Sequence, residues 1–253
     1  MKEHIKLTLT ELAKERQINI LYACESGSRA WGFESPDSDW DVRFIYAHSL
    51  EWYLSLENKK DTIDEMLPLE LDLGGWEIRK TLRLFADGNL ALFEWINSPE
   101  IYFKNESFHQ SLKALISQYF NPIKGMNHYL SMARKNVENH ILENSVKIKK
   151  LFYILRPLLA CEWIEDFSSM PPTEFSLLMR ESKSMPEDIQ RQVNEFLKQK
   201  ETAAEGHLVE LEISLVNWFN EQVTHYEILM PKLKPRPKSN WQELNKLMVD
   251  FVK

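Results

Sequence analysis

The sequence predicts an α+β chain: a small mixed β-sheet with helices over residues 1–106, followed by an all-α C-terminal domain over 107–253. Three observations predict it. Short, β-branched or aromatic apolar runs bounded by glycine and turn residues recur in the first hundred positions. After about Glu106 these runs disappear and long amphipathic segments take over. The 253 residues, 43% of them apolar, suffice for one large core or two modest ones, and the change of pattern favours two.

The elements follow in order. Ile5, Leu9, Leu12 and Ala13 fall at helical spacing and predict an amphipathic helix over 5–17. Residues 18–23 are short, apolar and β-branched, which suits a buried strand, and Ser26, Gly27 and Ser28 permit a tight turn after it. The second strand is 40–46. The third is 67–73, with Glu70 and Asp72 on one face until Gly74-Gly75 breaks the alternation. A helix over 76–85 presents Ile78, Leu82 and Phe85 on one side, Asp87-Gly88-Asn89 ends it, and a second short helix runs through Trp95. Residues 97–105 and Pro171-Pro172 are turn-rich breaks, and five helices are expected at about 109–119, 124–143, 145–165, 186–199 and 204–227. The tail over 231–237 is too rich in proline and lysine for a core.

Charge and composition exclude several classes. A net charge of -7 opposes a surface that neutralises long duplex nucleic acid and confines any RNA contact to a local basic cleft. No run is apolar enough to cross a bilayer. The two cysteines, Cys24 and Cys161, and the lack of a signal-peptide pattern predict a reduced, cytoplasmic protein without a disulfide.

Several motifs start and fail. Gly27 and Gly32 have P-loop spacing, but Phe33 and Glu34 stand where lysine and a hydroxyl residue are needed. Ser28 lacks the flanking glycines of a hydrolase elbow, having Ser26 and Ala30 instead. Residues 37–41 open like a calcium loop, yet Val42 and His48 occupy its turn-glycine and bidentate-glutamate positions. The seven histidines and two cysteines make no close zinc spacing. Asp39 and Asp41 remain, directly before an apolar strand. Carboxylates two apart on a strand point to one side and repel unless a cation lies between them, so a divalent metal ion is expected there. Asp37 sits in a Ser-Pro-Asp-Ser turn that explains it structurally.

Gly27-Ser28, ten further residues and then Asp39-x-Asp41 with Trp40 and Val42 interleaved resemble the DNA polymerase β-like nucleotidyltransferase superfamily. Its signature is Gly-[Gly/Ser], a spacer of this kind, and Asp-h-[Asp/Glu]-h on the next strand; Ser26 stands where the pattern usually has an apolar residue. "GSRAWGF", "DSDWDVRFIY", "GWEIRK", "FEWINSP" and "KKLFYILRPLLA" resemble more narrowly its RNA-ligase-associated branch, over residues from about 20 to 165.

The resemblance implies a polymerase β-like palm and transfer of a nucleoside monophosphate from an NTP such as ATP, with Mg²⁺ or Mn²⁺ as cofactor, to a hydroxyl or phosphate acceptor. Pyrophosphate is released. Such chemistry needs charge neutralisation on the triphosphate and an activated acceptor, which carboxylate-held divalent ions supply. Asp39 and Asp41 are the expected catalytic metal ligands. Asp72 is the expected third, with Glu70 on the same face as the alternative. The amides of Gly27 and Ser28, the Ser28 hydroxyl and Arg29 are expected at the triphosphate.

The association with RNA ligases implies an RNA end as acceptor and a place in RNA repair, with a small molecule as the other acceptor class. Two further readings stay open: an enzyme of toxin–antitoxin type that transfers AMP to a protein side chain, and a nucleotide-binding sensor without turnover.

The basic residues add expectations. Arg43 shares the face of Asp41, for an ion pair or a phosphate contact alike. Lys149, Tyr153 and Arg156 lie opposite the stripe of Leu151, Ile154, Leu155, Leu158 and Leu159, and are expected to bind nucleotide, Tyr153 by stacking. Trp76 serves either core packing or a nucleobase platform, Lys80 lies off the apolar face with phosphate as its possible partner, and Glu94-Trp95 reads as a buried structural pair.

Overall fold

Helix α1 (Lys2–Arg16) buries Ile5, Leu9 and Leu12, and ends where Gln17 turns left-handed at φ 51°. Strand β1 (Asn19–Glu25) leads into the short helix α2 (Gly27–Trp31), and β2 (Trp40–Ala47) follows the spacer. This computed structural model describes residues 1–233 and 240–252. After β2 come α3 (Leu50–Leu54), β3 (Thr62–Leu67), β4 (Leu71–Glu77), α4 (Ile78–Ala86), α5 (Leu90–Ile96), β5 (Ile101–Lys104) and α6 (Glu106–Tyr119).

The five strands form one mixed sheet in the order β3-β4-β2-β1-β5, in which only the central β2/β4 pair is parallel. Alternation along β2 sends Val42, Phe44 and Tyr46 into a core with Leu71 and Leu73 of β4 and the buried stripe of α1. The next residues over, Asp41 and Arg43, therefore belong to the opposite face.

Several expected boundaries differ for identifiable reasons. The third strand resolves into a hairpin: β3 and β4 join through a turn holding Leu69 and Glu70 at φ 65° and 55°. Gly74-Gly75 does not stop β4, because a Cβ on Gly75 would lie 2.3 Å from the Phe44 ring, so glycine is what lets the strand run beside β2. Trp76 accordingly lies in strand β4, which ends at Glu77, and helix α4 starts at Ile78 with Glu77 capping the amides of Arg79 and Lys80. Residues 101–104, expected in a turn-rich break, are instead edge strand β5.

The second half contains α7 (Pro122–His140), β6 (Ser145–Lys147), α8 (Ile148–Phe167), α9 (Phe175–Glu181), α10 (Glu187–Lys200), β7 (Leu208–Glu210), α11 (Ile213–Leu229) and, last, α12 (Gln242–Phe251). It is helical except for β6 and β7, a three-residue antiparallel pair too short to leave a sequence pattern. A 3₁₀ turn occupies Met230–Lys232; most of the proline- and lysine-rich tail expected outside the core lies outside the described residues.

The chain forms two compact units, divided otherwise than at residue 106. The first holds Met1–Ala30, Asp39–Tyr119 and the C-terminal segment with α12. Helix α6 stays with the sheet because it packs on β1 and α5, and α12 returns to pack on α4 and α6. The second unit holds the rest, including Trp31–Ser38. Thus the spacer of the Gly-Ser…Asp-x-Asp pattern is built into the helical unit.

Candidate active site

The parallel register sets Asp41 of β2 directly beside Asp72 of β4. Both carboxylates converge on one cation: Arg43 donates from Nη2 to Asp41 Oδ1 at 3.0 Å and to Asp72 Oδ2 at 2.7 Å. Its Nη1 reaches the backbone oxygens of Val42 and Asp72 at 3.1 and 2.9 Å. Arg43 is thus an ion-pair partner of two acids. Glu70, the alternative third ligand, lies in the β3–β4 turn and offers its carbonyl to the amide of Trp40, so Asp72 is the residue that meets Asp41.

Gly27 packs directly against the Asp41 side chain. A Cβ there would lie 2.1 Å from Asp41 Oδ2, and Gly27 sits at φ +63°, so both space and conformation require glycine. The expected turn is this left-handed residue entering α2 directly, with Ser28 buried in its first turn. Arg29 donates from Nε to the carbonyl of Asp39 at 3.0 Å and its guanidinium lies 3.9 Å over the Trp40 ring, which fastens the start of β2 to the helix after Gly27.

One buried acid escaped the sequence reading. Glu25, 1% exposed at the end of β1, accepts from the Asp41 amide through Oε1 at 2.9 Å and from the Tyr102 hydroxyl through Oε2. Burial pushes its carboxyl up to about 7, against the opposing influence of those two hydrogen bonds. Its only sequence signal is a glutamate closing an apolar strand just before Ser-Gly-Ser; its partner Tyr102 comes from β5, which was not foreseen.

These residues fit a divalent ion. Two hard oxygen donors from adjacent strands already share a cation, and a glycine leaves room only for hydrogen beside one of them. Asp39 is exposed one residue ahead of β2, which begins at Trp40. Among the described residues no three His, Cys, Asp or Glu side chains group around one metal position.

The residues expected to bind nucleotide from α8 lie in the helical unit. Arg156 was expected on an open face, yet it is 1% exposed: α8 is buried on nearly all sides between its neighbours, and the guanidinium donates to Thr173 O at 3.2 Å and lies 4.5 Å from the Trp31 ring. Tyr153 meets Trp31 edge-on at 5.3 Å. Lys149 pairs with Glu205, which also accepts from Ser38 at 2.8 Å, while the Glu205 amide donates to Asp37. Phe33 packs on Phe152 and Phe175, and buried Lys200 donates to the Ser35 hydroxyl at 2.6 Å. In this unit all three residues serve, directly or through Glu205, to hold the spacer. Of the remaining expectations, Trp76 packs on Trp95 with centroids 4.0 Å apart, and Trp95 is buried.

A glycine packed on a strand carboxylate, with a second carboxylate on the parallel neighbour, thus surrounds one shared cation, the Arg43 guanidinium. Comparison with known proteins gives the class: the family described as "RNA repair pathway DNA polymerase beta family" matches residues 1–250. The chain belongs to that family, a nucleotidyltransferase-like one. It is 42% identical over 255 residues to the uncharacterized protein YcgL of Bacillus subtilis (strain 168), covering 100% of this chain and 96% of that one. Among solved structures, a nucleotidyltransferase-like protein from Exiguobacterium sibiricum 255-15 aligns over 97% of this chain and 79% of its own, with 12% identity and a TM-score of 0.33. No helix among the described residues is long and apolar enough to cross a membrane.

Proposed function

We propose that the protein transfers a nucleoside monophosphate from an NTP to a hydroxyl or phosphate at an RNA end, dependent on Mg²⁺ or Mn²⁺. The acceptor oxygen bonds to the α-phosphorus, a hydroxyl acceptor giving its proton up to solvent, the bond from that phosphorus to the bridging oxygen of the β-phosphate breaks, and pyrophosphate leaves with its electrons. A divalent ion bound at Asp41 and Asp72 supplies charge neutralisation on the phosphates and lowers the pKa of the acceptor. Asp41 and Asp72 would be the carboxylates that hold such an ion, at the position now shared with Arg43. Gly27 and Ser28 offer amides and a hydroxyl to the β- and γ-phosphates. Arg29 keeps Asp39 and Trp40 at the mouth of the strand, and Glu25, through the Asp41 amide, fixes the backbone that carries the first carboxylate.

The observation that carries this reading is the convergence of Asp41 and Asp72 on a single cation beside Gly27. Incubating the purified protein with each α-labelled NTP, Mg²⁺ or Mn²⁺, and either short RNA or a protein lysate tests it. Label on RNA is the expected result. Label on protein alone would replace RNA-end transfer with side-chain modification, and no label on any acceptor would contradict transfer altogether.

A further inference from the structure

At the end of β4 away from Asp72, a cavity of about 240 Å³ opens beside α3 and the first turns of α4. It lies wholly within the sheet-bearing unit. Glu77, on its wall, is five residues beyond Asp72 along the strand, about 17 Å at the usual rise per residue. Four cations and three carboxylates line it, but two of the carboxylates are already engaged. Asp61 pairs with Lys80 at 3.0 Å, and Glu77 is taken up by the helix cap and the Tyr53 hydroxyl. That leaves Lys59, Arg79 and Arg83 facing only Glu57.

These three cations make no ion pair among the described residues. Two are instead held over aromatic rings: the Arg79 guanidinium 4.9 Å from Tyr53 and the Lys59 ammonium 5.5 Å from Trp52. Trp52 is itself fixed by stacking on His48, with centroids 4.2 Å apart. Arg79 and Arg83 stand four apart on α4, where like charges repel and weaken a helix unless an anion lies between them. In a chain of net charge -7, a polyanion is repelled by most of the surface and attracted where cations are concentrated and unneutralised. Guanidinium groups match phosphate oxygens in pairs, and aromatic rings beside them suit unpaired bases.

We propose that this cavity binds a backbone phosphate of the single-stranded RNA acceptor, upstream of the end that reacts. The proposal rests on the RNA-acceptor reading above. Arg79 and Arg83 grip the phosphate, Lys59 closes over it, and Trp52 and Tyr53 set the positions of the cations. The cavity grips the strand about 17 Å of sheet from the acid pair, so a few nucleotides separate the held phosphate from the transferred group.

Fluorescence anisotropy with a labelled, short single-stranded RNA, in the absence of NTP and metal, tests it. Arg79→Ala with Arg83→Ala should weaken binding roughly 10- to 100-fold at about 0.1 M salt, as two charge-assisted contacts are lost. The slope of log K against log salt should become shallower by about 0.7, from one fewer neutralised phosphate on a single strand. Arg79→Lys with Arg83→Lys should restore the slope, and the melting temperature should not move. Should the double alanine variant fail to fold, Arg83→Glu alone, on an exposed residue with no described ion pair, should reproduce the loss. Unchanged affinity and slope would overturn the proposal. So would arginine-dependent binding of inorganic phosphate or free NTP that leaves RNA binding intact, which would mark a small-anion site. Arginine-dependent RNA binding without label transfer would overturn the transferase reading alone, whereas transfer without arginine dependence would overturn this one alone.

Discussion

The carboxylate pair of the sheet-bearing unit and the spacer anchorage of the helical unit use the same residue types to opposite ends. Asp41, Asp72 and Arg43 are partly open, and one cation is shared by two acids that would otherwise repel. Arg156 and Lys200 lie against aromatic rings, and these two together with Glu205 are each committed to the segment 31–38. In the first region one partly open charge is shared by two acids, the place the proposed metal ion would take; in the second, burial makes the charge part of the packing. The chain leaves the first unit after Ala30 and returns at Asp39, so the motif's two halves are joined by a segment anchored in the helical unit.

Substitutions sharpen that contrast, beginning with the largest effect. Asp41→Asn or Asp72→Asn should lower nucleotidyl transfer by about 10³-fold or more, the several kcal/mol expected of lost metal charge, while the melting temperature stays within a few degrees. A quench-flow or gel assay paired with a thermal melt reads both, and a large fall in stability would mark these acids as structural. Gly27→Ala should follow with roughly 10²-fold less transfer, because its Cβ would have to displace Asp41 Oδ2 from 2.1 Å. Its helical content should be unchanged, and full activity would show that Asp41 need not sit where it does.

The helical unit should respond in the reverse sense. Arg156→Ala should cost about 3 kcal/mol of stability by emptying a packed site and removing its hydrogen bond to the Thr173 carbonyl, with the KM for NTP near wild type below the melting range. A raised KM with unaltered stability would return Arg156 to phosphate binding. The smallest effect concerns Lys200, whose burial holds its pKa below the ordinary 10.5. The unfolded chain then binds the extra proton between the depressed value and 10.5, so stability rises with pH through that window. Lys200→Met should flatten that rise in urea titrations at pH steps up to 10.5; an identical slope would mean that Lys200 folds with its usual proton affinity.

Local pattern carried much of this in the sequence. The strand from Trp40, the Gly27-Ser28 turn and Asp72 were legible because period-two alternation and a glycine-serine break are properties of neighbouring residues. What escaped depends on partners far along the chain. Trp76 reads as helix until Phe44, thirty-two positions earlier, requires Gly75 beside it. Glu25 gains its burial from Tyr102 on a strand of four residues, and Arg156 from Trp31 and Thr173. Alternation alone does not say that pairing with β4 starts at Trp40, one residue after Asp39.

The central claim is that Asp41 and Asp72 hold a catalytic divalent ion at the place Arg43 now shares. A crystal grown with Mn²⁺ and a nonhydrolysable NTP, recorded at the manganese edge, tests it directly. The account predicts an anomalous peak in direct contact with oxygens of both aspartates, the Arg43 guanidinium swung away and the β- and γ-phosphates against Gly27 and Ser28. Arg43 still bridging the two carboxylates, with nucleotide bound and the peak elsewhere, would contradict it.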